Sequence, residues 1–134
     1  MGTQEYSFSS KKDDIKSKQA ILAVEEKADV ELIEKFLKTI RYRVLGKSTD
    51  NREVLELIRK HKTGLLFLDF DITELGTNAV LDKVKVNNPK MKMIILSKQL
   101  NKEQITDAKA RGVAGFLAKP LTPDPVKKLL TKLM

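Results

Sequence analysis

The sequence predicts an α/β domain: three layers, α/β/α, around a five-stranded parallel sheet. Three observations carry this. Short apolar runs recur between residues 20 and 118. Amphipathic segments with helical spacing separate them, which is the pattern of repeated βα units. The three strongest runs each lead into a different polar residue: Asp69 after Leu65-Leu66-Phe67-Leu68, Ser97 after Met93-Ile94-Ile95-Leu96, and Lys119 after the run Val113–Ala118.

The elements follow in order. Strand one is expected at Ala20–Val24. A helix over about Asp29–Thr39 places Val30, Ile33, Phe36, Leu37 and Ile40 at helical spacing, with Asp29 as its N-cap. Strand two, about Arg43–Gly46, is short and weakly signalled. The second helix, about Asn51–His61, turns Val54, Leu55 and Ile58 inward, and Gly64 follows its end. Strand three covers Leu65–Phe70, and a loop containing Gly76 leads to a helix over Thr77–Val86, which Asn87-Asn88-Pro89 terminates. Strand four is Met93–Leu96. Asn101 caps a helix that runs to Ala110 and closes at Gly112. Strand five is Val113–Ala118, and the last helix, Asp124–Leu133, carries Pro125 in its first turn, where a missing N–H is harmless. Right-handed crossovers place helices on both faces of the sheet. A flavodoxin-like order of 2-1-3-4-5 sets the ends of strands one and three side by side at the topological switch point, where ligands of such sheets bind.

Length and composition narrow the function. A chain of 134 residues suits one domain, here residues 19–134 behind a polar, unpatterned leader of residues 1–18. The absence of cysteine excludes disulfides, zinc–thiolate sites and thiol catalysis. No apolar stretch is long enough to span a membrane, and the N-terminus lacks the apolar core of a secretory signal. Met1-Gly2 fails the myristoylation pattern because position six is Tyr6. The expected location is the cytoplasm. The net charge of +8 is uneven: residues 83–134 hold twelve Lys and Arg against three acids, whereas residues 1–82 are nearly balanced. Such a patch favours an acidic protein partner at the face built from residues 98–134, through Lys102, Lys109, Arg111, Lys127, Lys128 and Lys132. Nucleic acid is a poor match, because few aromatics interleave the lysines and no DNA- or RNA-binding motif is present.

Parallel strands bring their carboxyl ends to one rim, so Glu25, Glu26 and Asp69 share a crevice with Ser97 and Lys119. A carboxylate is a competent nucleophile toward a phosphoryl group. The acidic cluster suits a hard divalent cation such as Mg²⁺, which bridges carboxylate and phosphate oxygens, and a lysine adds a point charge for the phosphate.

This set of residues, in this order and spacing, resembles the receiver domain of bacterial two-component response regulators (the CheY-like fold) over roughly residues 20–134. The resemblance implies that Asp69 accepts a phosphoryl group from a histidine kinase or phosphotransfer protein. It implies that Glu25, Glu26, Asp69 and the Asp71 backbone carbonyl hold Mg²⁺, and that Ser97 and Lys119 contact the phosphoryl oxygens. Ser97 and Phe116 would be the switch residues of a partner-binding face. A signalling domain, not an enzyme, is expected. The sequence departs from the family pattern at four places: two glutamates stand where at least one aspartate is usual, Ile72-Thr73 replaces a frequent Met-Pro, Lys98 replaces a small residue, and Gly76-Thr77 replaces a frequent Asp-Gly. The longer glutamates predict weakened or displaced Mg²⁺ binding. An alternative is a degenerate receiver that binds protein without phosphorylation. A further rival is a phosphatase, because Asp69-Phe70-Asp71 partly echoes the Asp-x-Asp motif of haloacid-dehalogenase-like enzymes. Phe116 is equally consistent with plain core packing, and His61, at an expected helix C-terminus, is read as structural.

Overall fold

The computed structural model describes residues 18–61, 64–70 and 77–133. The expected leader, apart from Lys18, lies outside these residues, as do Asp71, Ile72-Thr73 and Gly76. The strands are β1 (Gln19–Ala23), β2 (Arg43–Lys47), β3 (Leu65–Asp69), β4 (Lys92–Ser97) and β5 (Val113–Ala118). The helices are α1 (Lys27–Thr39), α2 (Asn51–Lys60), α3 (Thr77–Asn87), α4 (Lys102–Ala110) and α5 (Pro123–Leu133). All strand pairs are parallel, in the order β2-β1-β3-β4-β5, as the sequence predicts.

The sheet is buried on both faces, which explains why its central strands read as unbroken apolar runs. Alternate residues serve opposite cores. Ile21, Leu66, Leu68 and Ile95 pack with Val54, Ile58, Leu81 and Ala108, so α2, α3 and α4 cover one face. Leu22, Phe67, Ile94 and Leu96 pack with Ile33, Leu37, Val126 and Leu130, so α1 and α5 cover the other. β2 is an edge strand and only half-buried, which is why its apolar signal is weak.

Local signals placed most helix ends. Asp50 caps α2 by accepting the Arg52 N–H at 2.8 Å. At α4, Asn101 and Gln104 form the reciprocal capping box. One expectation is corrected. Asp29 is not the N-cap of α1; that position belongs to Glu26, and Asp29 lies buried in the first turn. Its side chain is instead engaged with a distant segment, as described below. Gly64 does follow α2, which ends at an extended His61, but its own role is elsewhere. Gly64 has φ of +120°, and a Cβ there would stand 2.1 Å from the Gln19 carbonyl oxygen. Glycine is therefore required by the close approach of β1 at the start of β3.

Gly64→Ala is expected to lower unfolding free energy by about 3 kcal/mol, since it combines a strained φ with a backbone clash. Urea denaturation would register this as a lower midpoint with an unchanged slope.

Candidate functional site

The carboxyl ends of the strands form the site, and strand register decides which side chains meet there. Leu68 pairs with Ala23 of β1, so Asp69 lies one step beyond, level with the chain leaving β1. Asp69 pairs with Leu96, and Ser97 pairs with Ala118. The ladder continues past the strands: Phe70 N–H donates to the Leu96 carbonyl at 2.8 Å, and Lys119 N–H donates to the Ser97 carbonyl at 2.9 Å. Asp69, Ser97 and Lys119 thus step across β3, β4 and β5 at one rim.

The Lys119 ammonium donates to Asp69 Oδ2 at 2.5 Å. Both side chains are almost fully buried, at 2% and 0% exposure. The Glu25 backbone N–H also points to Asp69 Oδ2, at 3.4 Å. Ionised groups withdrawn from water in this way need each other, because an unpaired buried charge costs several kcal/mol. The Lys119-Pro120 peptide bond is cis. The Ser97 hydroxyl is buried; it donates to the Gln99 carbonyl and accepts the Gln99 N–H, both at 3.2 Å. That exchange fixes the hydroxyl in the turn between β4 and α4.

The two glutamates behave differently. Glu25 and Glu26 are exposed, and Glu25 meets Asp69 through its main chain. Among the described residues, no group of three or more acidic or imidazole side chains stands ready to hold a metal. The donor set remains one of hard carboxylate oxygens on adjacent strand ends, which matches Mg²⁺ in kind. Asp71, expected to add a backbone carbonyl, lies outside the described residues. Lys98 is exposed beside the site, where it lines a cavity of about 400 Å³ with Glu26, Ala28, Asp29, Lys119 and Pro120.

Phe116 is half-buried and packs against the core under α2, α3 and α4. Lys102, Lys109, Lys127, Lys128 and Lys132 are exposed. Arg111 is not equivalent to them: it pairs with Asp82 at 2.6 Å and Asp107 at 3.3 Å, tying α3 to α4. His61 ends α2, and its carbonyl accepts from the Asn88 side chain at 2.9 Å, in keeping with a structural role.

Sequence reasoning did not place Asp29 near the site. Its Oδ1 accepts the Leu121 N–H at 3.1 Å, two residues beyond Lys119. The signal was available: Asp29, Ile33 and Leu37 recur at a spacing of four and are the buried residues of α1.

Comparison with known proteins bears on the whole described fold. Residues 21–131 match the response regulator receiver domain. The chemotaxis protein CheY of Thermotoga maritima is 27% identical over 114 residues, covering 84% of this chain and 94% of that protein. The transcriptional regulatory protein CitT of Bacillus subtilis is 30% identical over 90 residues, covering 66% of this chain. That match spans only 39% of CitT. The receiver (REC) domain of AraT, a response regulator from Geobacillus stearothermophilus, superposes with a TM-score of 0.76 at 20% identity, covering 86% of this chain and 91% of that one.

Lys119→Met is expected to destabilise the protein by roughly 3 kcal/mol by leaving the Asp69 carboxylate buried without its cation. Adding Asp69→Asn should recover most of that loss, giving a coupling of about 1–3 kcal/mol in a double-mutant cycle of urea denaturations. A coupling near zero would show that the ion pair contributes nothing.

Proposed function

The chain belongs to the response regulator receiver domain family, and on that premise we propose that Asp69 accepts a phosphoryl group from a histidine kinase or phosphotransfer protein. The observation that carries this reading is the buried contact between the Asp69 carboxylate and the Lys119 ammonium at the strand ends. Asp69 has the chemistry of a nucleophile, and Lys119 is already placed for the charge that develops beside it.

In the proposed step, a carboxylate oxygen of Asp69 attacks the phosphorus of a phosphohistidine. The new O–P bond forms as the P–N bond breaks, and the imidazole leaves with the electron pair and takes up a proton. The product is an acyl phosphate. Its added negative charge draws the Lys119 ammonium from the carboxylate alone to the phosphoryl oxygens. The Ser97 hydroxyl leaves its exchange with Gln99 to donate to the same group. Mg²⁺, held by Asp69 with Glu25 or Glu26, would supply charge neutralisation for the incoming anion. Positioning and electrostatics suffice for such chemistry, since phosphoryl transfer asks little else of a protein.

The consequence is a change at the face formed by α4, β5 and α5. Phe116, half-buried on β5, responds to movement of Ser97, and the exposed lysines of that face meet an acidic protein partner. The protein acts as a signalling domain and not as a turnover enzyme. No described helix is long and apolar enough to cross a membrane, and a cytoplasmic setting suits a kinase-fed receiver. One observation favours a second reading, a receiver that binds protein without phosphorylation: the exposed Glu25 and Glu26 do not gather with Asp69 into a cation site.

Incubation with acetyl phosphate and Mg²⁺, followed by intact mass measurement, separates the two. The expected outcome is the gain of one phosphoryl group in the parent protein and none in Asp69→Asn. No gain in the parent would favour the phosphorylation-independent reading.

A further inference from the structure

Besides Asp69, Asp29 is the buried acid among the described residues, with 5% of its surface exposed. It is the third residue of α1 and shares a stripe with Ile33 and Leu37, where an apolar side chain would be the ordinary choice. Its Oδ1 accepts the Leu121 N–H at 3.1 Å, a contact between residues 92 positions apart. Its Oδ2 is buried with no hydrogen-bond partner. An unsatisfied buried polar atom is destabilising. The helix N-terminus offsets part of that cost, since its dipole favours negative charge. A carboxylate kept at such a place invites a reason beyond packing.

The reason lies in what Leu121 follows. Lys119 is fixed at its own N–H by the Ser97 carbonyl of β4, at 2.9 Å. Leu121 is fixed at its N–H by Asp29 of α1. The three-residue segment carrying Lys119 and Pro120 is thus held at both ends, by two different elements. Asp29, Lys119 and Pro120 also line one cavity. The Lys119 side chain has a long, flexible stem, and its ammonium is useful only while its backbone stays put.

We propose that Asp29 is a positioning residue for Lys119: by holding the segment after the lysine, it keeps the ammonium on the Asp69 carboxylate. The structural claim concerns the ion pair alone; its consequence for phosphoryl transfer rests on the function proposed above. Asp29 acts through its hydrogen bond to the Leu121 N–H.

The test compares the parent with Asp29→Ala and Asp29→Asn. Asparagine keeps an Oδ1 that accepts from Leu121; alanine does not. The first readout is reductive methylation of lysines with mass mapping of Lys119, which reports burial of the ammonium whether or not Asp69 is phosphorylated. Labelling of Lys119 should rise about tenfold in Asp29→Ala, as local opening of the segment exposes it, and stay within about threefold of the parent in Asp29→Asn. The second readout is the rate of phosphorylation by acetyl phosphate, which should fall about tenfold in Asp29→Ala and be largely retained in Asp29→Asn. If Asp29→Ala fails to fold, Asp29→Leu continues the apolar stripe of α1 and is measured in the same way. Unchanged labelling of Lys119 in a folded variant that lacks the carboxylate overturns the proposal. A parent that gains no phosphoryl group, with Lys119 nonetheless uncovered in the variant, defeats the phosphoacceptor reading and upholds the positioning role.

Discussion

A carboxylate and an ammonium, 50 residues apart in sequence, meet in near-complete burial at the rim of the sheet. Neither group is tolerable there alone. An isolated charge in a protein interior is strongly disfavoured, whereas a close, hydrogen-bonded pair is tolerated at little net gain. A buried ion pair is accordingly weak evidence of stabilisation and better evidence of a site. The surrounding structure satisfies its demands. β3 and β5 must be in register with β4, the turn after β5 must present Lys119 inward, and the chain leaving β1 must bring the Glu25 N–H alongside.

The fold meets those demands by division of labour. The two faces of the sheet supply two apolar cores, each built from alternate residues of the same strands. These cores hold the backbone, so that the polar residues at the strand ends are relieved of any packing role. Side chains at the rim then differ in how tightly they are held. Lys119 and Ser97 are buried and bonded; Glu25, Glu26 and Lys98 are exposed at the mouth. Under the proposed function, chemistry that needs preorganisation would fall to the first group, and engagement of a soluble ion or donor to the second. Farther out, Arg111 links α3 to α4 through Asp82 and Asp107, so part of the basic surplus near α4 is internal structure and not a surface offered to partners.

Much of this was legible in the chain. The central strands are apolar because both of their faces are covered, and their runs ended within a residue or so of the observed strands. The caps at Asn101 and the helix stop at Asn87–Pro89 rest on local backbone chemistry, which a sequence displays directly. Distant contacts account for what the sequence did not display. Asp29 and Gly64 are residue types that local rules assign to helix ends, yet each serves a contact with a distant segment, Leu121 in one case and Gln19 in the other. Arg111 counted toward a basic face until its two acidic neighbours came into view.

Periodicity and residue type, then, determined the layers, the strand order and the identity of Asp69, Ser97 and Lys119, because burial pattern and the rules of parallel sheets leave few alternatives. Tertiary structure alone decided which of those groups touch. It brought Lys119 onto Asp69, turned Glu25 toward the site by its main chain and not its carboxylate, and engaged Asp29 with the segment that carries the lysine. Contacts of that kind depend on rotamer, register and loop path to within about an ångström, whereas a linear pattern specifies only the face and the end of an element on which a residue falls.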